Sequence, residues 1–426
     1  MQFASSDTER ARELEERDPV PSLRDEFVVP DGRASRQRLR AEPGGAAQAW
    51  AYLAGNSLGL QPRAAGAAIE QELAKWGRLG VEGWFETCEP WLEYAGSLRG
   101  SVARLVGASA DEVAVMNTLT VNLHLLLASF YRPTPERPRI LIEDTAFPSD
   151  LYAIQSQAAW HGLDPAGAVL RVPIGEIGEA IERAGDSLAV ALLPGVNYLT
   201  GEVLDVPALT EAAHGVGAVA AWDLAHSIGN VPVSLHDAGA DFAVWCHYKY
   251  VNGGPGAPGG AFVHERHGRD LSLPRLAGWW GNDPAERFKM EPQFVPRMGA
   301  EGWAVSTPPV LAFAPLRASL EQFDRVGLEA LRARSLRLTG YLEELLDEVA
   351  GVRRMSVSTP RDPDRRGCQL SVSCDGARSL AAQLRERHGV VCDFREPDVL
   401  RFAPVPLYNT YEDCRRVAVA LLDVLA

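Results

Sequence analysis

Residues 220–265 read AAWDLAHSIGNVPVSLHDAGADFAVWCHYKYVNGGPGAPGGAFVHE. An apolar run, Val216 to Trp222, stops at a carboxylate, Asp223, and His226 follows three residues on. A second run, Phe242 to Cys246, stops at His247, Tyr248 and Lys249; a glycine-rich turn and a third run, Ala261 to Val263, come next. Short apolar runs bounded by turn residues read as strands buried on both faces, and such sheets deliver polar side chains where the strands end and the sheet opens into a cleft. One strand end here supplies an acid and the next a lysine.

That pair of residue types meets the demands of pyridoxal phosphate. A lysine holds the cofactor as a Schiff base and moves a proton, which needs an amine at least partly neutral. An acid keeps the pyridine nitrogen protonated, so that the ring accepts electrons. The phosphate is held by backbone N–H groups and hydroxyls, often at a helix N-terminus. Read singly, Asp223 is explained as well by a helix cap and Lys249 by an exposed loop. Together, at the ends of adjacent apolar runs with a Gly/Pro turn after one of them, they favour a cofactor site.

DLAHSIGN at 223–230, HYKYVNGG at 247–254, YLAGNSLGLQPR at 52–63 and APVPLYN at 403–409 occur in one order along the chain. With these motifs the sequence resembles kynureninases, from about Tyr52 to Asn409. The resemblance implies a pyridoxal-phosphate enzyme of fold type I, the aspartate-aminotransferase-like α/β fold. A large domain carries a mostly parallel mixed sheet flanked by helices, beside a smaller C-terminal α/β domain. The implied boundaries are 1–64 for an N-terminal segment covering the active site and joining the small domain, 65–310 for the large domain and 311–426 for the small one. The implied reaction is hydrolytic Cβ–Cγ cleavage of L-kynurenine or 3-hydroxy-L-kynurenine, giving L-alanine and anthranilate or 3-hydroxyanthranilate, within tryptophan catabolism and the kynurenine pathway towards NAD. It also implies a homodimer that shares its active sites.

Residue by residue, the resemblance implies that Lys249 carries the cofactor, Asp223 pairs with the ring nitrogen and Tyr248 bonds the phosphate and relays a proton. Leu119 and Thr120 match the phosphate-binding turn, Phe147 the aromatic stacked on the ring, and Asp150 and His226 groups flanking it. Trp279 matches a residue that reaches the phosphate region from the neighbouring subunit, and Thr307 a cofactor-contacting segment. Asn56, Ser57 and Arg401 match substrate-binding positions. A forked guanidinium suits an α-carboxylate. Two positions depart from the pattern: Pro194 stands where Ser or Thr is expected, and Thr307 where Asn is common. The histidine that contacts substrate in some members has no counterpart in Lys75–Gly83. These departures keep open a related lyase acting on another β-substituted amino acid. A non-catalytic, cofactor-binding regulator is the reading from another class; the roughly fifty residues before Tyr52 carry no helix-turn-helix pattern.

The rest of the chain sets bounds. At 426 residues it is long enough for one large and one smaller domain. A formal charge of −14 argues against nucleic acid and anionic lipid as partners. No uninterrupted apolar stretch reaches membrane-spanning length, and the charged start MQFASSDTERARELEERD is not a secretory signal. The six cysteines are scattered without a CxxC pair, which fits a reduced, cytoplasmic protein with no metal site. The pattern predicts an exposed charged helix over Thr8–Arg17, a loop with a solvated basic face over Gly32–Gln48, and a helix opened by Pro62 and running to Leu79. Strands are expected at Val113–Met116, Arg139–Glu143 and Ser187–Leu193. Helices are expected at Val206–His214 and, as a pair, over Val310–Val349, with alternating short strands and helices beyond.

Overall fold

The computed structural model describes residues 5–31 and 49–426, so the loop expected over 32–48 lies outside the described residues. Seven strands form the main sheet: β1 (Val113–Met116), β2 (Arg139–Glu143), β3 (Val169–Val172), β4 (Leu188–Pro194), β5 (Val219–Asp223), β6 (Phe242–Cys246) and β7 (Gly259–Val263). Their order is β1-β7-β6-β5-β4-β2-β3. From β6 to β3 every pairing is parallel, whereas β7 runs antiparallel to both of its neighbours. The sheet is therefore mixed and mostly parallel. The connection between β6 and β7, residues 247–258, contains no helix and turns the chain back antiparallel beside β6.

The strands are apolar at nearly every position because helices cover both faces. On one face Leu141, Ala191, Leu193, Ala220 and Trp222 pack with Leu98 and Val102 of the helix Trp91–Val106 and with Phe313, Leu316 and Leu320 of the helix Val310–Val326. On the other, Ile140, Val190, Leu192, Ala221 and Val244 meet Leu123 and Leu126 of the helix Leu119–Phe130 and Ile154 of the helix Pro148–Trp160. This alternation of odd and even residues between two cores is the two-residue period of a strand.

Gly327, at φ +84°, turns the chain from the helix Val310–Val326 into the helix Leu328–Ala350. Leu338, Leu342 and Leu346 of that second helix enter another core, shared with the helices Ala377–His388 and Tyr411–Val424. It backs a four-stranded antiparallel sheet of β8 (Ser356–Val357), β9 (Leu370–Ser373), β10 (Asp393–Arg395) and β11 (Val399–Phe402), ordered β8-β9-β11-β10.

The N-terminal residues join this core. Ala51–Tyr52 pairs in parallel with Val390–Val391, and Ala51 and Leu53 are fully buried there. The first helix spans Ser5–Arg17, three residues earlier than its charge pattern predicts. It is not solvated all round: Ala11 is buried and Leu14 packs against the same core. Buried Arg334 anchors the segment, donating to Val20 O at 2.8 Å and pairing with Asp18 at 3.3 Å. Pro62 does not open a helix. Gln61–Pro62 is extended and pairs with Phe27–Val28, and the helix begins at Ala64. A residue before proline is biased to extended backbone, and the buried Phe27 holds that conformation.

Candidate active site

The C-terminal ends of the parallel strands open into a cleft of about 530 Å³. Leu119, Thr120, Phe147, Asp150, Asp223, His226, Tyr248 and Lys249 all line it, joined by Glu143, Ser149, Pro194, Val196, Tyr198 and Ala225. Strands β5 and β6 are paired neighbours, with Asp223 opposite Val244. The last residue of β5 is thus the acid, and the lysine lies three residues past the end of β6.

A closed turn fixes Lys249. Asn252 donates its N–H to Lys249 O at 3.0 Å and Gly253 to His247 O at 2.8 Å, with Asn252 in the left-handed region at φ +54°. Beneath it, His247 is buried and neutral; burial pushes its pKa down to about 4. Trp245 Nε1 donates to His247 Nε2 at 2.9 Å, so Nδ1 carries the proton donated to Pro258 O at 2.7 Å. Gly59, in the GNSLGL motif, donates to Tyr248 O at 2.8 Å. A Cβ at position 59 would fall 2.4 Å from Lys249 O and 2.2 Å from Asn252 Oδ1. The N-terminal segment thus clamps the lysine turn directly, and only glycine allows the approach.

Lys249 Nζ lies 3.0 Å from His226 Nε2. Burial, then the charges of Lys249, Arg401 and Arg395, hold His226 well below the usual histidine range, so the ring is neutral. Its Nδ1 is buried and has no hydrogen-bond partner among the described residues. Asp223 accepts from Ala225 N–H at 2.7 Å. Burial, then the charge of Asp223 and a hydrogen bond to it, raise the neighbouring Asp150 carboxyl well above the usual carboxylate range; Glu143 adds to this and Lys249 opposes it. Asp150 Oδ1 is likewise buried with no hydrogen-bond partner among the described residues.

These features fit pyridoxal phosphate. The helix Leu119–Phe130 begins at the cleft, and Thr118 at its N-cap makes no side-chain capping bond, so its first-turn N–H groups are available to an anion. The close approach of β7 depends on Gly259, where a Cβ would stand 3.1 Å from Leu119 N and 2.8 Å from Trp245 O. Phe147 is half-exposed and offers a ring face, braced edge-on by Tyr198 at 5.3 Å. Two orphaned polar atoms, an acid pair and a lysine amine surround the space that a flat heterocycle would take.

The remaining sequence candidates lie outside this lining. Arg401 is fully buried on β11, one layer behind Tyr198: its guanidinium is 5.8 Å from that ring and donates to Tyr198 O at 2.5 Å. It donates to Ser57 Oγ at 3.2 Å and is ion-paired with Asp393, which Arg395 also pairs at 3.0 Å. Asn56 is buried and donates to Gln369 Oε1 at 2.8 Å. Trp279 is exposed on one side, donating to Arg287 O at 3.0 Å. Thr307 lines a different cavity with Asn117, Thr118 and Trp280. Sequence reasoning passed over Glu143 and Tyr198. A signal for the first existed, since ILIE is an apolar run ending in an acid, just as AAWD is.

The chain is similar to known proteins over nearly its whole length. Residues 331–421 match the family model of the kynureninase C-terminal domain. The kynureninase of Salinispora tropica is 54% identical over 422 residues, covering 94% of this chain and 98% of that protein. The kynureninase of Koribacter versatilis is 51% identical over 431 residues, covering 98% of each chain. Among solved structures, a C-DES mutant with glycine covalently linked to its PLP cofactor superposes with a TM-score of 0.76 at 18% identity, covering 93% of this chain and 100% of that one. A cysteine desulfurase from Thermococcus onnurineus gives 0.71 at 17% identity, covering 88% and 94%. These structures share the fold-type-I architecture, and the relatives share half of the sequence over nearly its whole length. The chain belongs to the kynureninase family.

Proposed function

We infer that this protein uses pyridoxal phosphate to hydrolyse the Cβ–Cγ bond of L-kynurenine, 3-hydroxy-L-kynurenine or both, releasing L-alanine and the matching anthranilate. The observation that carries the reading is the meeting of Lys249, Asp223, Phe147 and an uncapped helix N-terminus in one cleft of a kynureninase-family chain. The bound cofactor supplies an aldehyde that condenses with amines and a ring that stores electrons from the bond being broken.

The chain's own residues then have separate tasks. Lys249 would hold the cofactor through its amine, and the same amine would move the proton at the substrate Cα. Asp223 would hold the proton on the pyridine nitrogen. Neutral His226, 3.0 Å from Lys249 Nζ, keeps that amine in place without adding a positive charge. The N–H groups of Leu119 and Thr120, at the start of their helix, would hold the phosphate, and Tyr248 lines the same cleft. Burial first, then the Cys246 and Asp223 charges, raise the Tyr248 phenol above its usual range. Tyr248 therefore keeps its proton at neutral pH and can donate it near the γ-carbonyl. Arg401 takes the α-carboxylate, releasing Asp393 to Arg395, and Ser57 hydrogen-bonds beside it. Overall, water gives its hydroxyl to the acyl carbon and a proton to Cβ.

We infer also a homodimer whose active sites are shared. Trp279 and Thr307, matched to cofactor positions in the family, do not line the cleft of their own chain, and exposed Trp76, Val81, Phe85, Trp279, Phe288 and Met290 form apolar surface that suits burial against a second copy. The six cysteines are all free thiols, which favours a reducing cytoplasmic setting. No described helix is long and apolar enough to cross a membrane. The functional test is turnover of both kynurenines by cofactor-loaded protein. A protein that binds the cofactor but forms no anthranilate from either would favour the related lyase.

A further inference from the structure

At the end of the main sheet away from the cleft, three segments bring a carboxylate and two imidazoles together. β6 runs towards the cleft and β7 returns beside it, so Val263 pairs with Phe242, and Phe262 with Val113 at the start of β1. Glu112 precedes β1 and His264 follows β7, so both lie at this far end; His236 reaches it from the loop between β5 and β6. One ligand atom of each residue lies within 4.8 Å of those of the other two. Glu112 Oε1 is 2.8 Å from His236 Nδ1 and 3.8 Å from His264 Nδ1. The two rings are nearly parallel, 14° apart with centroids at 5.0 Å. Glu112 is buried, and backbone N–H groups fix its carboxylate: Ser109 donates to Oε2 and Glu265 to Oε1, each at 2.9 Å. His264 Nδ1 accepts from Arg266 N–H at 3.3 Å and so carries no proton. Glu112 Oε1 and His264 Nδ1 are therefore two acceptors 3.8 Å apart with no proton between them.

We propose that Glu112, His236 and His264 form a binding site for one divalent transition-metal ion of the zinc type, separate from the cleft. One carboxylate oxygen and two imidazole nitrogens are a ligand set that such ions take, whereas Mg²⁺ and Ca²⁺ take oxygen. Ligand atoms about 2.0 Å from a tetrahedral ion stand about 3.3 Å from one another. The observed 2.8 and 3.8 Å bracket that separation. The ion displaces the proton that His236 Nδ1 shares with Glu112, which passes to Nε2 or to solvent, and it takes the place of the long Arg266 N–H bond on His264. His236 is half-exposed, which leaves a fourth position to water. Burial alone would raise the Glu112 carboxyl, but the bonds from His236, Ser109 and Glu265 outweigh it and keep the group ionised. Burial, then the charge of Arg266, hold His264 below the usual histidine range, so its ring is neutral and free to ligate. Glu265 and Asp237 add negative charge beside His236, while the Arg266 guanidinium is drawn off to Gly239 O at 2.7 Å and to Asp241. An ion here would tie the loop before β6 to the antiparallel edge of the sheet. The expectation of no metal site came from sequence spacing, and spacing could not show this one: Glu112 and His236 are 124 residues apart.

The test titrates zinc chloride into full-length, cofactor-loaded protein free of any purification tag, by calorimetry, and repeats it with His236→Ala and His264→Asn. Asparagine removes the imidazole but keeps a side-chain acceptor at the helix start for Arg266. Wild type should bind one zinc ion per chain that each variant binds at least about tenfold more weakly. Zinc should also raise the Tm of wild type and not that of the variants, and Mg²⁺ should leave both unchanged. Wild type that binds zinc no more tightly than about 1 mM would overturn the proposal and leave a plain His236–Glu112 ion pair. Equal zinc affinity in wild type and both variants, or a Tm rise that survives in them, would overturn it too, by placing the ion elsewhere. Should His264→Asn not fold, His236→Ala on a half-exposed ring carries the test alone.

Discussion

Lys249 depends on neighbours that its own sequence context does not reveal. The HYK tripeptide marked it, because an apolar run that stops at a lysine is unusual inside a core. That Gly59 would press on the same turn from nearly two hundred residues away is a tertiary fact, visible only once a Cβ there is found 2.4 Å from Lys249 O. Gly59→Ala should therefore shift the lysine turn and weaken cofactor retention at least several-fold while leaving the global fold intact, which absorbance of the bound cofactor after dialysis checks. Arg401 yields a second prediction. Its carboxylate seat is already taken by Asp393, so substrate must compete for a buried, paired guanidinium. Arg401→Gln should raise KM for kynurenine about 10- to 100-fold, the worth of a charge-assisted hydrogen-bond pair, with kcat less affected. An unchanged KM would remove Arg401 as the carboxylate clamp. Glu143 was missed at this scale because a lone strand-end acid is ordinary; only the folded chain places it in the lining of the cleft.

The elements that carry the site were largely legible, because buried parallel strands are written as apolar runs with polar ends. Strands β1, β2, β4, β5 and β6 fall close to where those runs lie. The run in β7 could not show its antiparallel direction, because apolar runs read alike in either direction, and Pro62 misled because proline opens helices and ends strands alike. What holds β5 and β6 in register is Asp241, which no motif marked. Its carboxylate accepts from His214 at 2.9 Å, Ala220 N–H at 2.7 Å and His267 at 2.7 Å, and pairs with Arg266. Burial alone would raise this carboxyl; the bonds from His214, His267 and Arg266 outweigh it and hold it far below the usual range. A depressed folded-state pKa stabilises fully above the ordinary carboxylate value near 4, and the contribution is lost as pH falls through the folded value. Asp241→Asn should therefore cost about 3 kcal/mol at neutral pH, with the gap in Tm between variant and wild type narrowing as pH is lowered below about 4. A gap that stays constant with pH would mean the loss is packing and not charge.

Across the whole molecule, the two cores of the main sheet are joined to a third behind the small sheet. The helix Val310–Val326 buries Phe313, Leu316, Leu320 and Phe323 with the main sheet, and Gly327 hands the chain over to the third core. The proposed domains, 1–64, 65–310 and 311–426, therefore share this helix as a connector, and the N-terminal segment reaches both the small core through Ala51 and Leu53 and the lysine turn through Gly59. A partnership between copies is a proposal that came from the family likeness, since one chain's sequence does not say which apolar surface a second copy would cover. Sedimentation should give a dimer, and Trp279→Asp should weaken both the dimer and its hold on pyridoxal phosphate; a monomeric wild type with full turnover would refute shared sites. The most direct measurement is steady-state formation of anthranilate, read by its fluorescence, from L-kynurenine and 3-hydroxy-L-kynurenine with cofactor-loaded wild type and Lys249→Ala. The predicted result is an anthranilate and L-alanine in equal amounts from wild type, and a fall of at least about 10³-fold in the variant. Full turnover by Lys249→Ala, or no anthranilate from either substrate with cofactor bound, would contradict it.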